Sequence, residues 1–285
     1  MKRVSVLANE ERQRSLRNLG LEFTGPNFSE ITFEEHLNLK DLSLEKDIIV
    51  VAGGDGSLNY ALKKLDERKL TNLFSVYYIP MGTANDFSRF FELDKDRCIE
   101  KLKAMKFGDR KDLYFASLDE QVLVNMASCG IFGDLTPEVP EEMKSVFGTF
   151  SYYLKALEIL TDRKCFSLRM NVDGEKYDME NVLGFFIGNS KFAGGGVSLT
   201  KDASPGEDKL DLLVIKEGPT LELVGLALDM QFDEKILEDS RVFYRKFRNL
   251  KVSASEEIPL SVDGESMKKK DFEVSLSPNQ WHLLS

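Results

Sequence analysis

The chain has 285 residues and a formal net charge of −10, and 42% of its residues are hydrophobic and 30% charged. This composition is that of a globular protein with one large domain or two ordinary ones. The acidic balance argues against general nucleic-acid binding, which requires a basic surface. Three cysteines and two histidines, far apart in the chain, exclude a disulfide framework and argue against a Cys/His zinc site. No apolar run approaches the roughly 20 residues that span a bilayer, so we expect a cytoplasmic protein.

The first third of the chain alternates strand patterns with helical ones. Residues 3–8 and 74–79 read as strands, and the branched apolar run at 47–52 is typical of a strand buried on both faces. One helical face follows that run, with apolar side chains at i, i+3, i+4 and i+7: Leu58, Ala61, Leu62 and Leu65. This alternation predicts a parallel sheet flanked by helices.

From about residue 115 the pattern becomes mainly β. The segment "FSLRMNVDGEKYDM" (166–179) alternates apolar and polar residues and turns at Asp173-Gly174, which predicts a β-hairpin. Further strands are predicted at 182–188, 209–215, 250–254, 258–264 and 272–276, and helices at 141–162 and 220–230. We therefore expect an α/β domain over residues 1–115, to which residues 277–285 return, and a β-rich domain over residues 116–276.

Two glycine-bearing turns, "GGDGS" (53–57) and "PMGTANDFSRF" (80–90), each follow a predicted strand and open a helix. Glycines at such a turn permit close approach of a ligand, and the helix N-terminus offers unpaired N–H groups to an anion. Turns that follow neighbouring parallel strands lie at the sheet edge where open α/β sheets bind ligands. Asp55 would repel a phosphate unless a cation lies between them, which indicates Mg²⁺ chemistry. The alternative is a tight turn in which Asp55 only caps the helix.

Two later segments also bear on function. The glycine-rich loop "GNSKFAGGGVSLTKDASPGEDKLDL" (188–212) has a length that is often functional. The segment "SRVFYRKFRNLK" (240–251) interleaves aromatic residues with five cations in an acidic protein: Arg241, Arg245, Lys246, Arg248 and Lys251. Such a segment is suited to contact with anionic lipid headgroups, and the alternative, which charge runs favour more often, is a solvated strand or helix face.

These motifs resemble the catalytic domain of the diacylglycerol kinases, and more closely the stand-alone bacterial lipid kinases. The resemblance is carried by GGDG with a following hydroxyl residue, and by P-x-G-T-A-N-D-F-x-R about 27 residues later. It continues in "VNMASCGIFGD" (124–134), "GNSKFAGGG" (188–196), "DASPGEDKLDL" (202–212) and "SVDGES" (261–266). The resemblance therefore covers nearly the whole chain.

The resemblance implies a fold and an activity. The fold is a Rossmann-type α/β domain like that of NAD kinase, then a C-terminal β-sandwich domain, with a nucleotide cleft between the two. The activity is a kinase that uses ATP and Mg²⁺ to phosphorylate a lipid hydroxyl at a membrane surface, with diacylglycerol as the default acceptor and phosphatidic acid as its product. A peripherally membrane-associated protein and a homodimer are expected on the same grounds.

The resemblance also implies roles for individual residues. Asp263 is the base of the catalytic pair that it forms with Glu265. The nucleotide loops comprise Gly53, Gly54, Asp55, Gly56, Ser57, Gly82, Thr83, Asn85 and Asp86. A Mg²⁺-linked acidic network comprises Asp55, Asp86 and Asp112, and a structural metal is held by Asp208 and the carbonyl of Leu210.

Two departures from the family pattern leave other functions open. The first strand ends in "LANEERQRSL", which has Asn9 but lacks the usual Asn-Pro-x-Ser-Gly type of turn, and Lys209 stands at the usual glycine of an Asp-Gly-Leu segment. A catalytically weak nucleotide- and lipid-binding regulatory protein is therefore one alternative. An NAD kinase, which shares GGDG and the fold, is the other.

Overall fold

The structure, a computed structural model, describes residues 3–20, 28–31, 47–133, 164–220, 222–223, 225–226 and 237–285. The chain divides into two compact units. The first comprises Met1–Ala116, Pro205–Glu207 and Ser277–Ser285, and the second Ser117–Ser204 and Asp208–Leu276. The predicted boundary after residue 115 lies one residue before this division. The sequence patterns contain no sign of the short excursion at Pro205–Glu207.

The first unit is built on a sheet whose last strand comes from the C-terminus. Its strands are β1 (Arg3–Leu7), β2 (Phe28–Ile31), β3 (Asp47–Gly53), β4 (Ser75–Pro80), β5 (Arg110–Leu113) and β17 (Trp281–Leu284). Within the described residues their order is β2-β1-β3-β4-β17-β5. All neighbours are parallel except β5, which runs antiparallel to β17. The predicted parallel sheet is confirmed, and β17 lies inside it between β4 and β5.

Four helices are described in the first unit: α1 (Glu10–Asn18), α2 (Asp55–Glu67), α3 (Asp86–Phe90) and α4 (Lys95–Lys103). The predicted apolar face of α2 is confirmed, because its buried side chains are Leu58, Ala61, Leu62 and Leu65. The indole of Trp281 is fully buried and its ring centroid lies 5.6 Å from that of Phe87 in α3. This contact joins the C-terminal strand to the helix that follows the second glycine-bearing turn.

The second unit is mainly β. Its large sheet comprises β6 (Ala116–Leu118), β7 (Gln121–Leu123), β8 (Met126–Gly130), β9 (Phe166–Val172), β10 (Glu175–Gly188), β13 (Leu210–Lys216), β14 (Val242–Phe247), β15 (Asn249–Val262) and β16 (Glu265–Leu276). Among the described residues the order is β14-β13-β10-β8-β15-β16-β6-β7, and β9 pairs with both β10 and β15. Two short strands, β11 (Phe192–Ala193) and β12 (Val197–Ser198), pair separately. The predicted hairpin is confirmed as β9 and β10, with Val172 opposite Glu175.

Two sequence-based boundaries in this unit are wrong. The predicted strands at 250–254 and 258–264 are one strand, β15, whose pairing with β16 shifts register between Ser253 and Ile258. The polar residues at 255–257 interrupt the alternation, and an irregularity in the ladder accommodates them without ending the strand. Likewise, the predicted strand at 182–188 is the second half of β10.

The predicted helix at 141–162 lies outside the described residues, and most of the one predicted at 220–230 does too. Among the helices of the described part of the chain, none is long and apolar enough to cross a bilayer.

Candidate functional site

The two glycine-bearing turns meet at the ends of β3 and β4. Gly53 is opposite Pro80 in the parallel register, and the Met81 N–H donates to the Gly53 carbonyl at 2.7 Å. A Cβ atom on Gly82 would lie 2.4 Å from the Cα atom of Gly54, closer than side chains tolerate. The close approach of the two main chains therefore requires glycine at position 82.

Asn85 closes the second turn on itself. Its backbone is left-handed, with φ 50°, a conformation that asparagine tolerates better than most residues. Its side-chain oxygen accepts the Gly82 N–H at 3.0 Å, and its side-chain nitrogen donates to the Gly82 carbonyl at 2.7 Å. The turn is therefore held in one conformation before any ligand arrives.

Asp55 connects the two turns through its carboxylate. One oxygen accepts the Asp86 N–H at 2.8 Å, and the other accepts the Phe87 N–H at 3.0 Å. Asp55 thus caps α3 from outside that helix, where Asn85 at the N-cap makes no capping bond of its own. The sequence left open whether Asp55 caps a helix or serves a cation. The structure shows a cap, but on α3 and not on its own helix α2.

Asp55 and Asp86 are the two predicted metal-linked carboxylates that the structure brings together. Asp86 is buried, with 6% of its surface exposed. The phenol of Tyr78 is buried beside both, and burial, with the charges of Asp55 and Asp86, raises its pKa. Mg²⁺ in kinase sites is typically held by one or two carboxylates together with substrate phosphates. A pair of carboxylates at a glycine turn fits that requirement.

Asp112 is not part of this pair, which corrects the sequence-based prediction. It lies on β5 opposite His282, and His282 pairs with Ser75 at the start of β4. Asp86 follows the end of β4, so Asp112 occupies the opposite edge of the sheet. Its carboxylate bonds to Arg110 Nε and His282 Nδ1, both at 2.8 Å, and the Arg110 bond is the main reason that its pKa is lowered.

The predicted base, Asp263, lies in the second unit at the turn between β15 and β16. Its φ is 47° and that of Gly264 is 93°, as a two-residue hairpin turn requires. Its carboxylate accepts three main-chain hydrogen bonds, from the N–H groups of Val124 at 2.6 Å and of Asn125 and Met126 at 2.9 Å each. The Asp263 N–H donates to the Met126 carbonyl at 3.0 Å. The carboxylate is thereby fixed on the connection between β7 and β8.

The chain contains a second copy of this turn. The tetrapeptide Val-Asp-Gly-Glu occurs at 172–175 as well as at 262–265. Asp173 has φ 50°, and its carboxylate accepts the Arg248 N–H at 3.0 and 3.1 Å and the Asn249 N–H at 2.8 Å. Its own N–H donates to the Asn249 carbonyl at 2.9 Å. The Asp263 geometry is therefore also that of a structural turn, and the motif by itself does not distinguish the two roles.

The glycine-rich loop begins on the same connection that Asp263 holds. The side-chain nitrogen of Asn189, which is fully buried, donates to the Val124 carbonyl at 2.7 Å. The N–H groups of Asn189 and Ser190 donate to the Asn125 carbonyl at 2.9 and 3.0 Å. Sequence reasoning missed Asn125 and Asn189 as members of the site. The available signal was their position inside two of the quoted family motifs.

The remaining predicted residues are more exposed. Gly56, Thr83 and Glu265 lie at the surface, and the side chain of Glu265 makes no hydrogen bond or ion pair with any described residue. Ser57 lies against Gly53, where an added Cβ atom would be 2.2 Å from the serine Oγ. Ser57 thus presents a hydroxyl in the first unit, and Glu265 an exposed carboxylate in the second.

Asp208 and Leu210 do not fit the structural metal that the resemblance implies. The Asp208 carboxylate forms an ion pair with the guanidinium of Arg248. Leu210 begins β13 opposite Phe247. Over the described part of the chain, no group of three or more His, Cys, Asp or Glu residues is arranged to hold a metal ion.

The basic segment at 241–251 is largely neutralised by acidic partners. Among the described residues, four of its five cations form ion pairs: Arg241 with Asp239 and Glu222, Lys246 with Asp211, Arg248 with Asp208, and Lys251 with Glu273. Arg245 is exposed and its guanidinium lies 5.1 Å from the ring centroid of Phe243. The free basic surface expected from the sequence is therefore reduced mainly to Arg245.

The chain is similar to bacterial proteins named diacylglycerol kinase. The chain is 29% identical over 221 residues to a diacylglycerol kinase of Bacillus subtilis (strain 168), which covers 78% of this chain and 72% of the relative. It is 28% identical over 226 residues to a diacylglycerol kinase of Staphylococcus saprophyticus, covering 79% and 72%. A crystal structure of a diacylglycerol kinase from Bacillus anthracis str. Sterne is similar in fold, with a TM-score of 0.74 at 20% identity over 99% of this chain and 96% of the other.

Two family models divide the chain between them. Residues 14–117 match the model described as diacylglycerol kinase catalytic domain. Residues 128–285 match the YegS C-terminal NAD kinase beta sandwich-like domain, which is more than half of the chain. The predicted fold class is thus confirmed as an NAD kinase-like domain followed by a β-sandwich-like domain. The chain therefore belongs to the family defined by the YegS C-terminal NAD kinase beta sandwich-like domain, and a diacylglycerol kinase catalytic domain precedes that domain in the chain.

Proposed function

We propose that this chain is an ATP-dependent lipid kinase that phosphorylates a lipid hydroxyl, with diacylglycerol as the default acceptor. The observation that carries the proposal is the joined pair of glycine turns, in which Gly54 meets Gly82 and Asp55 caps α3. The names of the relatives and the family supply the reaction class.

The proposed nucleotide site uses main-chain groups and two carboxylates. The N-terminus of α2, at the first turn, presents N–H groups that suit the ATP phosphates, whereas the first two N–H groups of α3 are taken by Asp55. Asp55 and Asp86 are the residues that would hold Mg²⁺, which supplies charge neutralisation for phosphoryl transfer when bound. Because Asp55 is already fixed by two N–H groups, its oxygens keep one orientation toward whatever occupies the site.

We assign to Asp263 the task of orienting the acceptor hydroxyl. Hydrogen bonds from main-chain N–H groups favour the ionised form of a carboxylate. Such a carboxylate accepts a hydrogen bond from the lipid hydroxyl more readily than it takes up the proton of that hydroxyl. In a loose phosphoryl-transfer transition state, positioning contributes more than proton removal. Asp263 is bonded to Met126, which belongs to an apolar cluster that also contains Leu183, Phe186, Leu213 and Ile215. The orienting carboxylate is thereby anchored to the apolar core of the second unit.

A second candidate is a nucleotide-binding homologue with weak or no catalysis, and α1 favours it. Its first turn carries Glu10 and Glu11, and Asn9 accepts the Arg12 N–H at 2.9 Å. Acidic side chains and a filled cap make the start of α1 a poor phosphate site. One of the three turns at this sheet edge is therefore unavailable for phosphate, and tight closure on ATP depends on the other two.

Homodimer formation stays a prediction.

Labelling with γ-³²P-ATP tests the proposed function. With Mg²⁺ and a panel of lipid alcohols that includes diacylglycerol, sphingoid bases and phosphatidylglycerol, we expect a labelled lipid and no labelled NADP⁺ from NAD⁺. Measurable ATP binding without any labelled lipid would favour the regulatory homologue. Labelled NADP⁺ would establish an NAD kinase.

The Gly82→Ala substitution tests the nucleotide site. The added methyl group would be 2.4 Å from Gly54 Cα, so the two turns must separate and we expect at least a tenfold rise in the ATP dissociation constant. Isothermal titration calorimetry measures it, and circular dichroism checks the fold. Gly225→Ala is the control, because no atom of a described residue lies within 4 Å of its added atom. An unchanged affinity in Gly82→Ala would remove the turns from the site.

Asp263→Asn, compared with Asp173→Asn, separates catalysis from turn structure. Asp263 accepts from three main-chain N–H groups and Asp173 from two, so we expect both variants to lose thermal stability. Only Asp263→Asn should lower kcat, by about 10²-fold because the acceptor hydroxyl loses the carboxylate that orients it, with ATP affinity within a few-fold of wild type. Equal kcat in the two variants would reduce Asp263 to a structural residue.

Arg245→Glu tests membrane contact through residues 241–251. Arg245 is the residue of choice because Lys246 is engaged with the buried Asp211. We expect weaker sedimentation with vesicles that contain anionic lipid, and activity on detergent-dispersed lipid within twofold of wild type. Lys95→Glu in the first unit is the control with the same change in net charge. Equal effects of the two variants would contradict a specific contact.

A further inference from the structure

The Asp208 carboxylate has a cationic partner within the chain. Its ion pair with the Arg248 guanidinium stands at the position to which the resemblance assigns a divalent cation. We propose that Arg248 replaces that cation, so that the second unit of this protein is held at Asp208 by its own guanidinium and does not require a structural metal.

The main chain of Arg248 is fixed on both sides, which strengthens the case for a defined ion pair. Its N–H is shared between the two Asp173 oxygens at 3.0 and 3.1 Å, and its carbonyl accepts the Leu276 N–H at 2.8 Å. The usual weakness of an exposed ion pair is the entropy needed to order two long side chains. Here the guanidinium starts from an anchored backbone and meets a short side chain, so less order remains to be imposed.

The surrounding charges also oppose a divalent cation. Lys209 follows Asp208 directly and is exposed, and it stands where the family pattern has glycine. A cation at Asp208 would therefore meet the positive charge of the Arg248 guanidinium, which already contacts that carboxylate. The Asp208 carboxylate would be the only charged ligand for such a cation, and it is already paired with the Arg248 guanidinium, a group that can bond to both carboxylate oxygens.

The position of the pair gives it a structural consequence. The chain leaves the second unit after Ser204, contributes Pro205–Glu207 to the first, and re-enters the second at Asp208. Leu210 then begins β13. The ion pair therefore fixes the point of re-entry against the turn between β14 and β15. This role does not depend on kinase activity.

Thermal unfolding without nucleotide tests the proposal directly. The transition is followed by far-ultraviolet circular dichroism, because the single tryptophan, Trp281, reports on the first unit. We expect the midpoint of wild-type unfolding to be the same, to within about 1 °C, in EDTA and in millimolar Mg²⁺ or Ca²⁺. A midpoint that falls by several degrees in EDTA and recovers with either ion in wild type, but not in Asp208→Asn, would overturn the proposal.

A double-mutant cycle tests the partner. Asp208→Asn and Arg248→Gln should each lower the midpoint by about 1–3 °C, as expected for an exposed but anchored pair. The double variant should match the single ones, because one interaction is lost in all three. Additive shifts would show that the two residues do not act together, and would also overturn the proposal.

Limited trypsin digestion gives a local readout of the same loss. Cleavage after Lys209 should be several-fold faster in Arg248→Gln and in Asp208→Asn than in wild type, because local opening governs proteolysis. Lys251→Gln is the matched control, since Lys251 forms an exposed ion pair with Glu273 at 2.6 Å away from the re-entry point. Equal rates in Arg248→Gln and Lys251→Gln would contradict the anchoring role.

Discussion

The geometry of the first unit's site depends on one carboxylate. Asp55 satisfies the first two N–H groups of α3, which the short helix cannot satisfy itself and which Asn85 does not cap. The bond crosses from one glycine turn to the other, so it sets their separation together with the contact between Gly54 and Gly82. A change at Asp55 consequently alters both turns at once. Loss of activity in an Asp55 variant could therefore not be attributed to a lost metal ligand alone.

In the second unit an aspartate carboxylate again caps main-chain N–H groups, at two turns of identical sequence. The sequence of such a turn therefore does not show by itself whether its aspartate has a function. Two identical Val-Asp-Gly-Glu turns place Asp173 and Asp263 in the same backbone conformation, and both carboxylates accept main-chain N–H groups. They differ in what they hold. Asp173 holds the start of β15, whereas Asp263 holds the connection on which the glycine-rich loop also begins. The role that we propose for Asp263 therefore rests on its neighbours and not on the tetrapeptide.

The sequence predicted what local patterns determine and missed what distant pairing determines. Strand β3, helix α2 and the two turns follow from apolar periodicity and from glycines, all within a few residues of each other. The place of Asp112 depends on β5 pairing with a strand some 170 residues later, and no local pattern records that partner. The excursion at Pro205–Glu207 is non-local in the same sense: the Pro205 carbonyl accepts the Tyr114 N–H at 2.6 Å.

The basic segment shows why charge counts along a chain mislead in an acidic protein. With 48 acidic and 38 basic residues, a strand rich in cations has an excess of carboxylates within reach once the sheet forms. Lys246 reaches the buried Asp211, whose pKa is raised chiefly by burial and opposed by that lysine, and Lys251 reaches Glu273 across the strand pair. Arg248 follows the same rule at Asp208. A carboxylate that could bind a divalent cation thus pairs with a nearby guanidinium instead. The guanidinium belongs to the same chain and is held close to the carboxylate, so its pairing does not depend on the concentration of free ions.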